Sequence, residues 1–380
     1  MIPPQAPSQA DGVRLLLFSD LHLDTPFRWA SPDASRRRRV LLRQTLSRIV
    51  ELAQRLDVAA LCCGGDLFEH ERLSPDTGEF LRTTFAAVAP LPVLIAPGNH
   101  DWYGPASLYQ RMVWSPNVHI FSDDHLSPFS LVDGLTIWGA AHRAPARTEN
   151  FLDGFGPDRG GIHLGLFHGS EQAGLSFQES GKVPHAPFRA DQIPNAGLHH
   201  ALLGHFHSPA DGEWHTYPGN PDPLEFGEQG RRGAVLLTVG GDGRVQRQRH
   251  DVASSQVSDV TVMLDGLAHS GQIPDRVRQA LAECRGWVRV TLSGTVHPDL
   301  DLRPEDIRSE AVAPHLDGMV VRLGNVSTAY DFDRVAREPT VRGRFVRDVV
   351  SDTGLDSHHR RRILITGLRA LEGRSDLEVH

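Results

Sequence analysis

Leu203-Gly204-His205-Phe206-His207 closes an apolar run, Ala201-Leu202-Leu203, with two histidines one residue apart. The run reads as a strand ending. Alternate side chains on an extended segment point to the same side, so His205 and His207 can project together, one to each of two neighbouring metal ions. In a chain with 21 histidines a lone His-x-His pair is weak evidence. Its weight comes from four earlier segments, each of which delivers an Asp, Asn or His at a predicted strand end.

Arg14 to Phe18 reads as a buried strand opening into Ser19-Asp20-Leu21-His22-Leu23-Asp24. Ser35 to Leu56 keeps helical spacing, and its first turns carry Arg36, Arg37, Arg38 and Arg39, a run expected on a solvated face or against phosphates. Val58 to Cys63 is the second strand and ends in Gly64-Gly65-Asp66-Leu67-Phe68-Glu69. Asp76 to Val88 follows as a helix, and Pro92 to Ala96 as a third strand ending in Pro97-Gly98-Asn99-His100-Asp101. Alternating strands and helices predict an α/β sheet, whose ligands gather at the carboxyl ends of its strands. Beyond Trp102 the pattern is β-rich, with Asp133-Gly134 as a hairpin turn. Ile162 to Phe167 ends in His168-Gly169-Ser170, and the polar stretch from Glu171 to Ala196 reads as a long loop of the functional or mobile kind.

Three parts are expected: a loose tail over 1–12, a catalytic domain over 13–250 and a small α+β accessory domain over 258–380. His250 to Val257 reads as the linker. In the last part Val341 to Val350 and His358 to Leu371 are helical, the second rich in arginine.

The formal net charge is −8, so no overall basic field draws nucleic acid to the chain. Nearly all the basic charge is arginine, Lys182 being the one lysine. Three cysteines, Cys62, Cys63 and Cys284, are too few and too poorly spaced for a disulfide framework and fit a reducing, cytoplasmic setting. No apolar run approaches membrane-spanning length, so no membrane contact is expected, and the polar, Pro-rich start does not read as a signal peptide.

The collected set is Asp20, His22, Asp66, Asn99, His168, His205 and His207. It mixes nitrogen and oxygen donors without thiolate, which argues against a structural zinc site and suits Mn²⁺, Fe²⁺ or Zn²⁺. Seven donors are too many for one ion and fit two ions sharing a carboxylate. Two metals about 3.5–4 Å apart can hold a hydroxide and clamp a phosphate oxygen, the chemistry of phosphoester hydrolysis.

Asp20-x-His22, Gly65-Asp66, Gly98-Asn99-His100-Asp101, His168 and Gly204-His205-x-His207, in that order, resemble the five signature segments of the calcineurin-like metallophosphoesterases. Phe18 to Leu23, Gly65 to Phe68, and Tyr217-Pro218-Gly219-Asn220-Pro221 with Phe226, Glu228 and Gly233 resemble the SbcD-type DNA-repair nuclease branch of that superfamily. The resemblance covers about Arg14 to Val239. It implies a four-layer β-sandwich flanked by helices, with the carboxyl-terminal part as a capping domain. It places Asp20, His22 and His207 on one metal and Asn99, His168 and His205 on the other, with Asp66 bridging. His100 then contacts the scissile phosphate and assists the leaving oxygen. Mn²⁺ is the expected metal, DNA the substrate, 3′-to-5′ exonuclease and endonuclease the activities. The implied partners are a second copy of the chain and an SbcC-like coiled-coil ATPase docking on the late arginine-bearing helices.

One position departs from the pattern. Glu69 stands where some members of this branch carry a histidine. It is expected to orient His100, unless it is a solvent-facing residue and nearby His70 fills the histidine's role. The alternative activity is a phosphodiesterase acting on cyclic nucleotides or nucleotide-sugars with the same ligands; a non-catalytic scaffold is a third reading. His125 and His142, near Trp138, have no assigned place.

Overall fold

The computed structural model describes residues 12–173, 184–267, 269–297, 302–311 and 313–373. The expected tail, apart from Gly12, and Lys182 within the expected long loop lie outside the described residues. The chain divides into two compact units, Met1–Val257 and Ser258–His380.

The first unit begins with β1 (Val13–Phe18), α1 (Pro32–Arg55), β2 (Ala60–Cys63), α2 (Thr77–Ala86), β3 (Val93–Ile95), α3 (Leu108–Arg111) and β4 (Val118–Ile120). There follow β5 (Ser127–Val132), β6 (Leu135–Gly139), β7 (Ile162–His168), α4 (Gln192–Asn195), β8 (His200–Gly204), β9 (Ala210–Asp211), β10 (His215–Tyr217), β11 (Gly233–Val239) and β12 (Val245–Asp251). They build two six-stranded sheets, ordered β12-β11-β1-β2-β3-β4 and β5-β6-β7-β8-β10-β9. Strands β1 to β4 run parallel, as do β6, β7, β8 and β10.

Continuous apolar runs such as Leu15-Leu16-Leu17-Phe18 mark strands covered on both faces. Leu15, Leu17, Cys62 and Leu94 meet Ile137, Leu164, Leu166 and Leu202 between the two sheets. Their strand neighbours Leu16, Phe18, Cys63 and Ile95 point the other way, onto Leu42, Leu46 and Ile49 of α1 and Leu81 and Phe85 of α2. On the far face of the second sheet Trp138, Phe167 and Leu203 pack with Phe151, Phe188 and Ile193. The result is a helix–sheet–sheet–helix sandwich, the expected α/β fold class. Cys62 and Cys63 are buried strand residues on opposite faces, and burial pushes the Cys62 thiol up to about 12.

Helix α1 starts three residues before the expected Ser35, because Ser31 caps it, its side chain accepting from Ala34 N, and Pro32 occupies the first turn. The arginine run that follows is not one solvated face. Arg36 and Arg37 are exposed, but Arg38 is fully buried. It stands four residues before Leu42, on the same helical stripe as the core, and donates to Asp222, Ser255 Oγ and the Pro223 carbonyl. The expected linker is likewise partly tied down: His250 and Asp251 end β12, while Ser254 N and Ser255 N donate to Asp222 Oδ2 at 2.7 and 3.1 Å.

Strand β13 (Val257–Met263) leads into the second unit, which holds α5 (Gln272–Leu281), β14 (Trp287–Val296), α6 (Pro304–Glu310), β15 (Gly318–Thr328), α7 (Phe332–Ala336), α8 (Val341–Ser351) and α9 (Ser357–Leu371). Its three-stranded sheet, β13-β14-β15, packs Val262, Val290 and Leu292 against Ile273, Val277 and Leu281 of α5. Val335, Val346, Leu364 and Leu368 form a separate core among α7, α8 and α9. Among the described residues no helix is long and apolar enough to cross a membrane.

A candidate metal centre at the strand ends

Parallel strands put their carboxyl ends on one side, and the expected site residues are delivered there. Asp20 and His22 follow β1, Asp66 follows β2, Asn99 and His100 follow β3, His168 ends β7, and His205 and His207 follow β8. The two sheets meet at this edge backbone to backbone. A Cβ on Gly64 would lie 2.8 Å from Gly204 N and 2.9 Å from Leu203 O, so glycine is required for the approach. The connecting turns leave ordinary backbone space: Asp20, His22, Asp66 and His205 have φ of 54°, 47°, 51° and 117°. Side chains other than glycine are uncommon there, and such strain clusters at functional sites.

Among the described residues three clusters result, the ligand atoms within each lying no more than 4.8 Å apart: Asp20 with His22 and His207, Asp20 with Asp66 and His168, and His22 with Glu69 and His100. Asp66 Oδ2 lies 3.3 Å from His168 Nε2 and 3.6 Å from His22 Nε2, while Oδ1 accepts from His100 N at 2.8 Å. His205 stands beside His168, ring centroids 5.2 Å apart, and its backbone N–H reaches the Asp20 carboxylate at 3.1 Å. Asn99 Oδ1, His22 Nε2 and His168 Nε2 are buried without a hydrogen-bond partner. Buried polar atoms are normally paired; His22 Nε2 and His168 Nε2, both beside the Asp66 carboxylate, and the Asn99 amide oxygen fit cations that would complete them.

The opposite ring nitrogens explain why these atoms face inward. His22 Nδ1 lies 2.7 Å from Glu69 Oε1, His168 Nδ1 2.9 Å from the Gly64 carbonyl and His207 Nδ1 2.8 Å from Glu228 Oε1. Each partner only accepts, so in the neutral ring each Nδ1 carries the proton and each Nε2 keeps its lone pair for a ligand.

Glu69 is turned inward, its second oxygen 3.0 Å from His100 Nδ1, and it thereby holds His22 and His100 together. Burial raises its carboxyl, but the hydrogen bonds from His100 and His22 outweigh that and bring it down to about 2. His100 is partly open to solvent; burial lowers it, and Glu69 and Asp66 raise it further, to about 9. His168 stands at about 9 for the same reason, Asp66 overcoming burial. Asp66 itself is held well below the usual carboxylate range, His168 first among the charges that offset its burial. His70 donates its backbone N–H to the His100 carbonyl and packs its ring on Trp102, centroids 4.2 Å apart.

Four contributors escaped the sequence reading as site residues. Asp101 accepts from Gly98 N, Asp66 N, Leu67 N and Tyr109 Oη at 2.6–3.1 Å and so splices the second and third loops together. Its partners, Tyr109 above all, gave no local signal. His142 gains a place: buried, and lowered by that burial to about 3, it contacts the His168 carbonyl and Thr148 Oγ1, both at 2.7 Å. Glu228, behind His207, was visible only as part of the Tyr-Pro-Gly-Asn resemblance. His125 is exposed beside Asp124.

A family model of the calcineurin-like phosphoesterases matches residues 13–222, more than half of the 380-residue chain. No curated protein matches it. Among solved structures, the crystal structure of TT1561 of Thermus thermophilus is similar at 14% identity over 63% of this chain and 99% of that one, with a TM-score of 0.36.

Proposed function

From the premise that this chain belongs to the calcineurin-like phosphoesterases, hydrolases that typically work with two divalent metal ions, we propose that it is a DNA-cleaving phosphodiesterase of the SbcD type. The observation that carries the hydrolase reading is the pair of unpartnered nitrogens, His22 Nε2 and His168 Nε2, facing the Asp66 carboxylate, with His100 at its edge. Asp20, His22 and His207 would hold one ion, Asn99, His168 and His205 the other, and Asp66 both. Mn²⁺ suits this mixture of imidazole, amide and carboxylate. Two cations so held supply Lewis acidity toward a phosphoryl oxygen and acidify water.

The remaining work falls to the chain. Asp101 fixes the peptide groups on either side of Asp66 and Asn99. Glu69 accepts from His100 Nδ1, which leaves Nε2 as the atom that passes a proton to the departing 3′ oxygen. Glu69, hydrogen-bonded to His100 Nδ1, favours the charged ring, so that this proton is at hand when the bond breaks.

The nuclease branch is favoured by the Tyr217–Pro221 segment with Phe226, Glu228 and Gly233, and by a second unit following the sandwich. A chain of net charge −8 has little electrostatic hold on DNA by itself. A DNA-carrying coiled-coil ATPase would make up for that. Its docking face is assigned to α8 and α9, where Val341, Val350, Ile363 and Leu371 are exposed beside Arg344, Arg361 and Arg362. The active species is taken to be a homodimer in the cytoplasm.

The test is Mn²⁺-dependent degradation of a 3′-labelled linear duplex by wild type and His100→Ala, run beside a chromogenic small phosphodiester. Shortening from the 3′ ends by wild type alone is the expected result. Rapid cleavage of the small ester with DNA untouched at low salt would replace the nuclease with the small-molecule phosphodiesterase.

A further inference from the structure

The segment from Tyr217 to Gly233 grips His207 at both its ring and its backbone. Glu228 Oε1 faces His207 Nδ1 at 2.8 Å. Glu228 Oε2 accepts from Asn220 Nδ2, Leu224 N and Glu225 N at 2.7, 2.6 and 3.2 Å. The His207 carbonyl accepts from Asn220 N at 3.1 Å and from Arg232 at 2.7 Å. Arg232 also donates to Asn220 Oδ1, and its Nε donates to the Glu228 carbonyl at 2.7 Å.

The hydrogen-bond directions in this network are forced. A guanidinium and a peptide N–H have no lone pair to offer, so they donate only. Arg232 therefore fixes the Asn220 amide with its oxygen toward the guanidinium and its NH₂ toward Glu228. Oε2 is then occupied by three donors that cannot reverse. Oε1 accepts as well, since an ionised carboxylate has no hydrogen. The neutral His207 ring must then carry its proton on Nδ1, which leaves Nε2 bare.

We propose that Glu228 is a positioning residue that sets the tautomer of His207, and that Arg232, acting through Asn220, fixes the polarity of the chain behind it. The inference rests on the dimetal reading above and deepens it by assigning a task to the Tyr-Pro-Gly-Asn segment. It makes a demand that packing alone does not. Glutamine has the shape of glutamate, yet in Glu228→Gln the amide oxygen must turn to the three fixed donors, leaving the NH₂ against His207 Nδ1. The ring then has to accept at Nδ1, its proton moves to Nε2, and the ligand atom is blocked. A change of one atom should act like loss of the side chain.

The experiment uses the full chain. Mn²⁺ is titrated calorimetrically into wild type, Glu228→Gln, Glu228→Ala and Arg232→Met, and thermal unfolding is recorded for each without metal. In parallel, long-range ¹H–¹⁵N spectra of metal-free wild type, at a pH where the imidazole is neutral, report the His207 tautomer, assigned with His207→Gln. The expected result is an Nδ1-protonated His207 in wild type and a loss of about 10- to 100-fold in affinity for one of two Mn²⁺ ions in both Glu228 variants. Arg232→Met, which frees Asn220 to flip, should fall between. Equal Mn²⁺ affinity in wild type and Glu228→Gln, with only the unfolding midpoint lowered, overturns the proposal and leaves Glu228 a loop staple. So does a wild-type His207 protonated at Nε2, which decides the matter even where a variant does not fold. Wild type that binds no Mn²⁺ but shows the Nδ1 tautomer would overturn the dimetal reading and leave the hydrogen-bond chain standing.

Discussion

Arg38 and Asp222 form an ion pair in which neither side chain is exposed to solvent, joining α1 to the loop just beyond β10. Asp222 also accepts from Thr45 Oγ1, Ser254 N, Ser255 N and Ser255 Oγ. Taking away one partner of a buried pair leaves a charge without compensation, at a cost of about 3–5 kcal/mol. Arg38→Met should therefore lower the unfolding free energy of the first unit by that much, read from denaturant titration. Adding Asp222→Leu should not restore it, because two peptide N–H groups would then lose their acceptor. Recovery in the double variant would show that the pair is isolated from its neighbours.

Glu69 reaches two histidines at once, and a glutamine there could satisfy only one of them as an acceptor. Glu69→Gln should reduce kcat by about 100-fold or more, the scale of a displaced acid–base group. Without the Glu69 charge His100 falls from about 9 toward its ordinary value. The alkaline limb of the rate profile should move to lower pH. Unchanged rate and unchanged profile would remove Glu69 from the mechanism.

Acid sensitivity follows from the same carboxylates. Glu69 and Glu228 both drop from an ordinary 4.5 to about 2, hydrogen-bonded histidines outweighing burial in each. A depressed folded-state value means the unfolded chain binds the proton first. The stabilisation is complete above 4.5 and lost as pH falls toward about 2. Chemical denaturation of the metal-free protein across that window should give a slope that flattens in Glu69→Gln and in Glu228→Gln.

The contact between Gly64 and Gly204 gives a steric test. A methyl group on Gly64 would press on Gly204 N and Leu203 O, which are backbone atoms with nowhere to rotate. Gly64→Ala should cost about 1–3 kcal/mol by overpacking and weaken Mn²⁺ binding, since it wedges the two sheets apart where the donors converge. Calorimetric titration beside a melting curve separates the two effects. Normal metal affinity in a destabilised variant would mean that the loops, not the sheets, set the geometry.

Much of this arrangement was legible in the chain itself. Long apolar runs ending in Asp, Asn or His gave the strands and the side of the sheet on which their cargo lies, because neither depends on distant residues. Arg38 was not legible: an arginine in a run of four is buried only because Asp222 and Ser255, far along the chain, come to meet it. Glu228 and Asp101 were hidden for the same reason, their meaning residing in donors from other loops. The short helices α6 and α7 were missed because five to seven residues are too few to show a periodicity.

The left-handed backbone at Asp20, His22, Asp66 and His205 has a bearing on engineering. Glycine would relax each of these turns, so a search for heat-tolerant variants that scores folding alone will enrich glycine at these four positions. The winners would be the sturdiest and the least active members of the library. Selections on this scaffold should therefore hold those codons constant and look for robustness in the second unit and on the outer faces of the helices.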